Sequence, residues 1–210
     1  MNKIPDALRN AVSEARCRFF DWRHGVRTCG TVNLTDLTLV GNNTGHGRYY
    51  PSHPKFLFEV LSLLNVDHPS HTFVDLGSGK GRVLFVASEF PFSEIIGVEF
   101  ASELHEIASR NVRSYRSKTQ KCKNIKTLNL DAAEFEFPLT PLVLYMFNPF
   151  GPAVLVPVLQ RLQRSIDSQP RDVTLLYETP YHGGLIEQHT ALRCVDQSTW
   201  HNTYRFTRDV

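Results

Sequence analysis

A glycine-rich segment directly after a short apolar run carries the residue types that could bind a nucleotide-like ligand. Residues 75–82 read Asp-Leu-Gly-Ser-Gly-Lys-Gly-Arg. Glycine has no Cβ, so at Gly77, Gly79 and Gly81 the backbone can approach a ligand closely, and the start of the following helix offers free N–H donors. Glu99 ends the next apolar run, at the distance where such folds place an acceptor for ribose hydroxyls. The pattern predicts a nucleotide-type cradle.

Two classes of cofactor compete for this cradle. The dinucleotide fingerprint requires a third glycine three positions after the second, and here that position is Arg82. The sequence has instead three glycines at alternate positions, with Asp75 two residues before the first. This pattern resembles motif I of the class I S-adenosylmethionine-dependent methyltransferases, which implies an acidic loop around a cationic sulfonium and ammonium. NAD has less support, because no acid/base pair for hydride transfer is evident. A plain strand-to-helix turn is the remaining alternative.

Residues 148–151, Asn-Pro-Phe-Gly, form the candidate site of methyl transfer. Transfer from a sulfonium is an in-line displacement, so the protein mainly positions the nucleophile and removes water from it. The amide oxygen of Asn148 and the backbone carbonyl beside Pro149 could accept the N–H bonds of a neutral amine, with the ring of Phe150 packed against it. The stretch resembles the Asn-Pro-Pro-(Tyr/Phe) loops of amino-methylating enzymes, without their second proline. The alternative is that Asn148 caps the next helix and Pro149 fixes the turn.

The pattern of apolar residues predicts the strands and helices that position these residues. From residue 56 onward, strand-like apolar runs alternate with segments of helical periodicity. This alternation predicts an α/β fold with a Rossmann-like, doubly wound and mostly parallel sheet of seven strands. We expect an antiparallel strand pair at the C-terminal end and an added N-terminal helix over residues 4–22. Residues 1–50 are predicted to form this helix and a lid segment. Residues 51–210 are predicted to form the S-adenosylmethionine-binding domain, in one globular unit with it.

Polar side chains recur where successive predicted strands end. Asp75, Glu99, Asp131 and Asn148 follow four consecutive apolar runs. In a doubly wound sheet, ligands bind outside the carboxyl ends of the strands, where the strand order reverses. We therefore expect these side chains at one site. For Asp131, contact with adenine and capping of a helix N-terminus are both open.

The resemblance extends over most of the chain. Residues 73–79, 97–99 and 150–152 resemble the non-SET histone lysine methyltransferases. A broad group of little-characterised bacterial class I methyltransferases is still more similar, and also shares residues 20–26 and Arg-Tyr-Tyr-Pro at 48–51. The resemblance implies that Tyr49 and Tyr50 close over the methionine part of the cofactor or over the substrate. It does not imply a lysine substrate.

Composition limits the possible partners. The chain has a formal net charge of +2, so its overall electrostatics favour neither nucleic acid nor an acidic membrane. Residues 110–126 hold basic residues and no acid, which could follow phosphates or could form a solvated helix end. Apolar runs are too short to span a bilayer. The four cysteines and nine histidines do not fall at metal-ligand spacing, so we predict no metal site, reduced thiols and a cytoplasmic location.

We therefore predict a methyltransferase that uses S-adenosylmethionine and acts on an amine nitrogen of a protein side chain or a small molecule. The alternatives are a nucleic-acid base methyltransferase and a cofactor-binding module without catalysis. The predicted catalytic residues are Asn148, Pro149, Phe150 and Tyr50, and the predicted substrate-binding residues are Tyr49, Tyr50 and Phe150. The predicted cofactor-binding residues are Asp75, Gly77, Ser78, Gly79, Gly81, Glu99, Phe100, Asp131 and Ala132.

Overall fold

A computed structural model describes residues 6–41 and 47–207, with residues 6–10 described by their backbone alone. The start of the predicted N-terminal helix, residues 4–5, therefore lies outside the described residues. The helices are α1 Asp6–His24, α2 Pro54–Leu63, α3 Arg82–Ala87, α4 Ser102–Ser114, α5 Pro152–Ser168 and α6 Gly184–His189. The strands are β1 Val32–Asn33, β2 Arg48–Tyr49, β3 Thr72–Leu76, β4 Glu94–Glu99, β5 Ile125–Asn129, β6 Leu142–Phe147, β7 Val173–Glu178, β8 Arg193–Gln197 and β9 His201–Phe206.

The central sheet has seven strands in the order β5-β4-β3-β6-β7-β9-β8. Strands β3 to β7 are parallel, and β9 pairs antiparallel with both β7 and β8. The chain leaves β3 toward β4 and β5 and then returns to β6 on the other side of β3, so the strand order reverses between β3 and β6. The predicted fold class, including the antiparallel C-terminal pair, is confirmed.

Both faces of the sheet are buried, as the almost continuous apolar runs of β3 and β6 require. One core cluster packs residues such as Val74, Leu144 and Met146 against α5. The other packs Phe73 and Tyr145 against α2 and α3. Because side chains alternate between the two faces of a strand, Tyr145 points to the α2 and α3 side, and it reaches the carboxyl edge of the sheet there.

The N-terminal segment is fastened to the glycine-rich loop by a buried ion pair. Arg82 is 4% exposed and contacts Asp21 at 3.5 Å, while its Nε donates to Thr28 Oγ1 at 2.7 Å. Asp21 in turn accepts from Thr28 N at 2.7 Å and Cys29 N at 2.9 Å. Arg82 occupies the position where the dinucleotide-binding fingerprint has its third glycine. Its contacts hold α1 and residues 28–29 against the start of α3.

Cys17 and Cys29 form a disulfide in the structure, so the expectation of four reduced thiols is wrong for this pair. Residues 25–30 turn back along α1 and bring the two Cα atoms within 5.7 Å across a sequence separation of 12. Cys122 and Cys194 are free. No helix among the described residues is long and apolar enough to cross a bilayer. The cytoplasmic location stays a prediction.

Candidate cofactor and acceptor site

A cavity of about 590 Å³ lies at the carboxyl ends of the parallel strands, where the strand order reverses. It brings together most of the predicted site residues: Tyr49, Tyr50, Asp75, Gly77, Ser78, Glu99, Phe100, Asn148, Pro149 and Phe150. The predicted residues Gly79, Gly81, Asp131 and Ala132 do not line it. The roles of all these residues stay predictions, and the placement of the ten that line the cavity fits one binding site.

The glycine-rich loop packs directly against two other parts of the site. Gly79 has φ +53, and a Cβ at this residue would lie 2.2 Å from Cε2 of Tyr49. Gly77 has φ +87, and a Cβ there would lie 2.7 Å from Cβ of Pro149. Both the left-handed backbone and the close approach exclude a side chain. The loop is thus enclosed by Tyr49 on one side and by the Asn-Pro-Phe turn on the other.

Two buried polar atoms at the loop have no hydrogen-bond partner within the described residues: Asp75 Oδ2 and Ser78 Oγ. Both residues line the cavity. Burial raises the pKa of Asp75 well above its usual range, and the nearby Glu99 and Glu178 raise it further. Buried polar groups normally have partners, so these two atoms fit a ligand that carries donors and positive charge. The ammonium of S-adenosylmethionine has both properties.

Both carboxylate oxygens of Glu99 already accept backbone hydrogen bonds, one from the glycine-rich loop and one from the segment that follows β4. Its Oε2 accepts from Gly79 N at 2.7 Å, and its Oε1 accepts from Ala101 N at 2.9 Å. Burial raises the pKa of Glu99, while these backbone hydrogen bonds act in the opposite direction. A carboxylate oxygen can accept two hydrogen bonds, so the geometry leaves room for the predicted ribose contact.

Tyr49 covers the loop and Tyr50 lies at the cavity mouth. The hydroxyl of Tyr49 donates to Thr28 O at 2.8 Å, and Lys80 Nζ lies 4.9 Å from the centroid of its ring. Lys80 also donates to Cys29 O at 2.7 Å. Burial raises the pKa of Tyr49, which keeps its hydroxyl neutral. Tyr49 therefore joins the N-terminal segment to the loop.

Asn148 and Thr179 both have left-handed backbone, at the ends of β6 and β7. Their φ values are 40° and 53°, a conformation that is uncommon for asparagine and strained for the β-branched threonine. Both residues line the cavity. The hydroxyl of Tyr177 donates to Asn148 Oδ1 at 2.9 Å. The N-cap position of α5 is held by Gly151, so Asn148 is not the cap of that helix.

Asp131 caps a short turn in the structure. Its Oδ1 accepts from Ala133 N at 2.9 Å, at the start of the 3₁₀ turn Ala132–Glu134. Gly41 packs on the same carboxylate, since a Cβ there would lie 2.6 Å from Asp131 Oδ2. The capping role is the one that these contacts show, and contact with adenine stays a prediction.

Several residues that line or adjoin the cavity do not figure among the predicted site residues. Tyr145 donates a hydrogen bond to Glu178 Oε2, and its hydroxyl lies 3.5 Å from Ser52 Oγ. The sequence carried a signal for Glu178, because it ends the apolar run of β7 as Glu99 ends β4. Tyr181 and Trp200 line the mouth and lie in loops where the sequence pattern gave no signal.

The basic stretch at residues 110–126 lies away from the cavity. Arg110 pairs with Glu106 at 3.7 Å on α4, and Lys126 forms an ion pair with Glu94. Lys121 N donates to Ser88 O at 2.7 Å, so the loop before β5 packs at the amino ends of the strands. The cavity lies at the opposite edge of the sheet.

Comparison with known proteins gives a family match and a shared fold. Residues 42–137 match the model of the family described as "Histone methylation protein DOT1". A curated relative, the H3 lysine-79 specific histone-lysine N-methyltransferase of Dictyostelium discoideum, is 28% identical over 111 residues. The match covers 48% of this chain and 6% of the relative's length. These matches confirm the resemblance to non-SET histone lysine methyltransferases.

Solved structures of other methyltransferases share the fold. A predicted N6-adenine-specific DNA methylase from Listeria monocytogenes superposes with a TM-score of 0.55 at 16% identity, covering 74% of this chain and 51% of its own. The magnesium protoporphyrin IX methyltransferase of Synechocystis, with bound S-adenosylmethionine, has a TM-score of 0.54 at 9% identity, covering 73% and 78%. The acceptors in these names differ, so the fold leaves the acceptor open.

Proposed function

We propose that this chain, a class I S-adenosylmethionine-dependent methyltransferase related to the DOT1 histone methylation proteins, transfers the methyl group to an amine nitrogen. The observation that carries the proposal is the contact of the Asn-Pro-Phe turn with the glycine-rich loop. Pro149 packs on Gly77 so closely that no Cβ would fit between them. This contact supports a position for the Asn148 amide beside the bound cofactor.

The residues of the cavity have chemically distinct tasks in this proposal. The cofactor supplies a methyl group on a positively charged sulfur. Asp75 Oδ2 and Ser78 Oγ would bind the methionine ammonium, and Glu99 would accept from the ribose hydroxyls. Asn148 Oδ1 holds one hydrogen bond from Tyr177 and has a second lone pair for an acceptor N–H.

The acidic groups at the strand ends favour a basic acceptor. Asp75, Glu99 and Glu178 lie at the ends of β3, β4 and β7, and each has a pKa that burial raises. A cationic ligand beside these groups would favour their ionised form. A cationic cofactor and an amine acceptor both meet this condition, which supports an aliphatic amine.

A nucleic-acid base is the second candidate, and the aromatic rim favours it. Tyr50, Tyr181 and Trp200 line the mouth and are 55%, 77% and 68% exposed. Aromatic side chains can stack on a base that has left its duplex. Phosphates would also need several cations near the mouth; Arg48 is exposed and lines the cavity, but the basic residues 110–126 lie at the opposite edge of the sheet. The amine is therefore the preferred acceptor.

The test is methyl transfer from labelled S-adenosylmethionine to a cell lysate, followed by separation into protein, nucleic acid and small molecules. We expect label on amines of protein or small molecules, and Asn148→Ala should lower the rate by about 100-fold because the nucleophile loses its orientation. Asn124→Ala is the matched control, since Asn124 is exposed at the far edge of the sheet.

Label confined to nucleic acid would favour the second candidate. Cofactor binding without label in any fraction would point to a binding module instead. An unchanged rate with Asn148→Ala would remove the proposed role of the Asn-Pro-Phe turn.

A further inference from the structure

A row of polar side chains crosses three adjacent strands at the edge of the cavity. Asp75 on β3 is the register partner of Tyr145 on β6, and Glu178 ends β7, the next strand. Tyr145 donates a hydrogen bond to Glu178 Oε2. Ser52, two residues before α2, lies at the end of the row, with its Oγ 3.5 Å from the Tyr145 hydroxyl. Tyr145, Asp75 and Ser52 line the cavity, whereas Glu178 is not part of the lining and adjoins it through its contact with Tyr145.

The two acids of this row, Asp75 and Glu178, form no ion pair with another described residue. Tyr145 and Asp75 are each 2% exposed. Burial raises the pKa of Glu178, and the hydrogen bond from Tyr145 lowers it. Buried carboxylates are costly unless they are paired, so the row fits a positively charged ligand group.

The histidine that pairs with Glu178 in the sheet contacts other side chains. His201 lies directly across from Glu178 on β9. Its Nε2 contacts Asp196 at 3.4 Å, and its ring packs on Phe56. Among the residues that line the cavity there is no histidine or lysine. A carboxylate is therefore the available proton acceptor at this edge.

An aliphatic amine needs such a proton acceptor. Its pKa is near that of lysine, about 10.4, so at neutral pH it arrives as an ammonium without a lone pair for attack. Asn148 can orient the nitrogen, but an amide oxygen is not basic enough to take its proton. Exocyclic amines of nucleobases are neutral and do not have this requirement. The acceptor class thus decides whether a base is needed.

We propose that Glu178, held in place by Tyr145, binds the ammonium of the acceptor, takes its proton and so selects aliphatic amines. This inference rests on the proposed methyl transfer to an amine. In the step, an N–H bond of the ammonium breaks and an O–H bond forms on Glu178. The freed lone pair attacks the methyl carbon, and the electron pair of the broken C–S bond stays on sulfur. The proton passes from Glu178 to water when the methylated ammonium leaves. Tyr145 is a positioning residue.

The test uses two bisubstrate probes that need no knowledge of the natural acceptor. Both are S-adenosylhomocysteine analogues with nitrogen in place of sulfur. That nitrogen carries a 2-aminoethyl group in one probe and an n-propyl group in the other. Titration calorimetry on the wild-type protein should show about 10-fold tighter binding of the aminoethyl probe, as expected for a hydrogen bond between charged groups.

The variants then identify the group that recognises the amine. Glu178→Gln should remove the preference for the aminoethyl probe and leave S-adenosylhomocysteine affinity unchanged. Tyr145→Phe keeps the buried ring and removes the hydrogen bond to Glu178, so it should reduce the preference for the aminoethyl probe. This variant tests the Tyr145–Glu178 contact even if Glu178→Gln fails to fold. Glu59→Gln is the matched control, since the Glu59 side chain is 59% exposed on α2.

Three results would overturn the inference: no preference in the wild type, a full preference retained in Glu178→Gln, or weaker S-adenosylhomocysteine binding in Glu178→Gln. The last result would place Glu178 at the cofactor instead. Failure of the proposed function looks different, because then the wild-type protein would not bind S-adenosylhomocysteine at all, or methyl label would appear only in nucleic acid.

Discussion

At the scale of single residues, the acidic side chains of the site are buried where a negative charge is poorly solvated. Asp75 is the clearest case, because it is buried, has an oxygen without a partner among the described residues, and lies near two other acids. A carboxyl group whose folded-state pKa is raised binds more protons in the folded state. Its ionisation therefore destabilises the protein as pH rises from the unfolded to the folded pKa. Such a cost is typical of residues retained for function.

Asp75→Asn should stabilise the protein without cofactor and weaken cofactor binding. The amide keeps the shape of the side chain and removes the buried charge, so we expect a melting temperature at neutral pH higher by about 2–4 °C for each kcal/mol gained. S-adenosylhomocysteine should bind more weakly in the same variant. Calorimetric melting and titration measure both effects, with exposed Asp67→Asn as control. A lower melting temperature would show that the Asp75 carboxyl is stabilised in the free protein.

At the scale of elements, the central sheet places several of the predicted site residues where its strands end. This much could be predicted from sequence: Asp75, Glu99 and Asn148 follow apolar runs, and they line one cavity. Asp131 follows the same rule but lies outside the cavity, because its strand β5 is at the sheet edge, two strands from the reversal of strand order. Whether a strand-end residue lines the cavity therefore depends on how far its strand lies from the point where the strand order reverses. The local sequence pattern does not show this distance.

Contacts between distant elements could not be predicted. The packing of Tyr49 on Gly79 depends on how β2 crosses the loop, and the Cys17–Cys29 disulfide depends on the turn after α1. Neither has a local sequence signature. The hydrogen bond between Tyr145 and Glu178 joins β6 to β7, and only the strand order brings these two residues together.

Gly79→Ala tests the enclosure of the loop by Tyr49. The new Cβ would meet the tyrosine ring at 2.2 Å in a backbone conformation with φ +53, and strain of this kind costs about 1–3 kcal/mol. Because Tyr49 must move, S-adenosylhomocysteine affinity should fall by roughly 10- to 100-fold. Gly184→Ala is the control, since a Cβ there meets nothing within 4 Å. Equal titration curves for both variants would contradict the packing described.

At the scale of the whole molecule, the N-terminal segment packs against the glycine-rich loop at the carboxyl ends of the parallel strands. Arg82, Lys80 and Tyr49 connect α1 and residues 28–30 to the glycine-rich loop. The cavity with Asp75 and Glu99 lies at one edge of the sheet, and the basic residues 110–126 lie at the other. This separation suits a cationic cofactor and a basic acceptor better than a phosphate backbone.

Titration calorimetry with S-adenosylmethionine, S-adenosylhomocysteine and NAD tests the assignment of the cavity as a cofactor site. We predict that the first two bind and NAD does not. Glu99→Ala should weaken both, because Glu99 fixes the backbone of Gly79 and faces the cavity, whereas exposed Glu106→Ala should not change them. Binding of NAD, or of none of the three, would contradict the assignment of the cavity and with it the proposed methyl transfer.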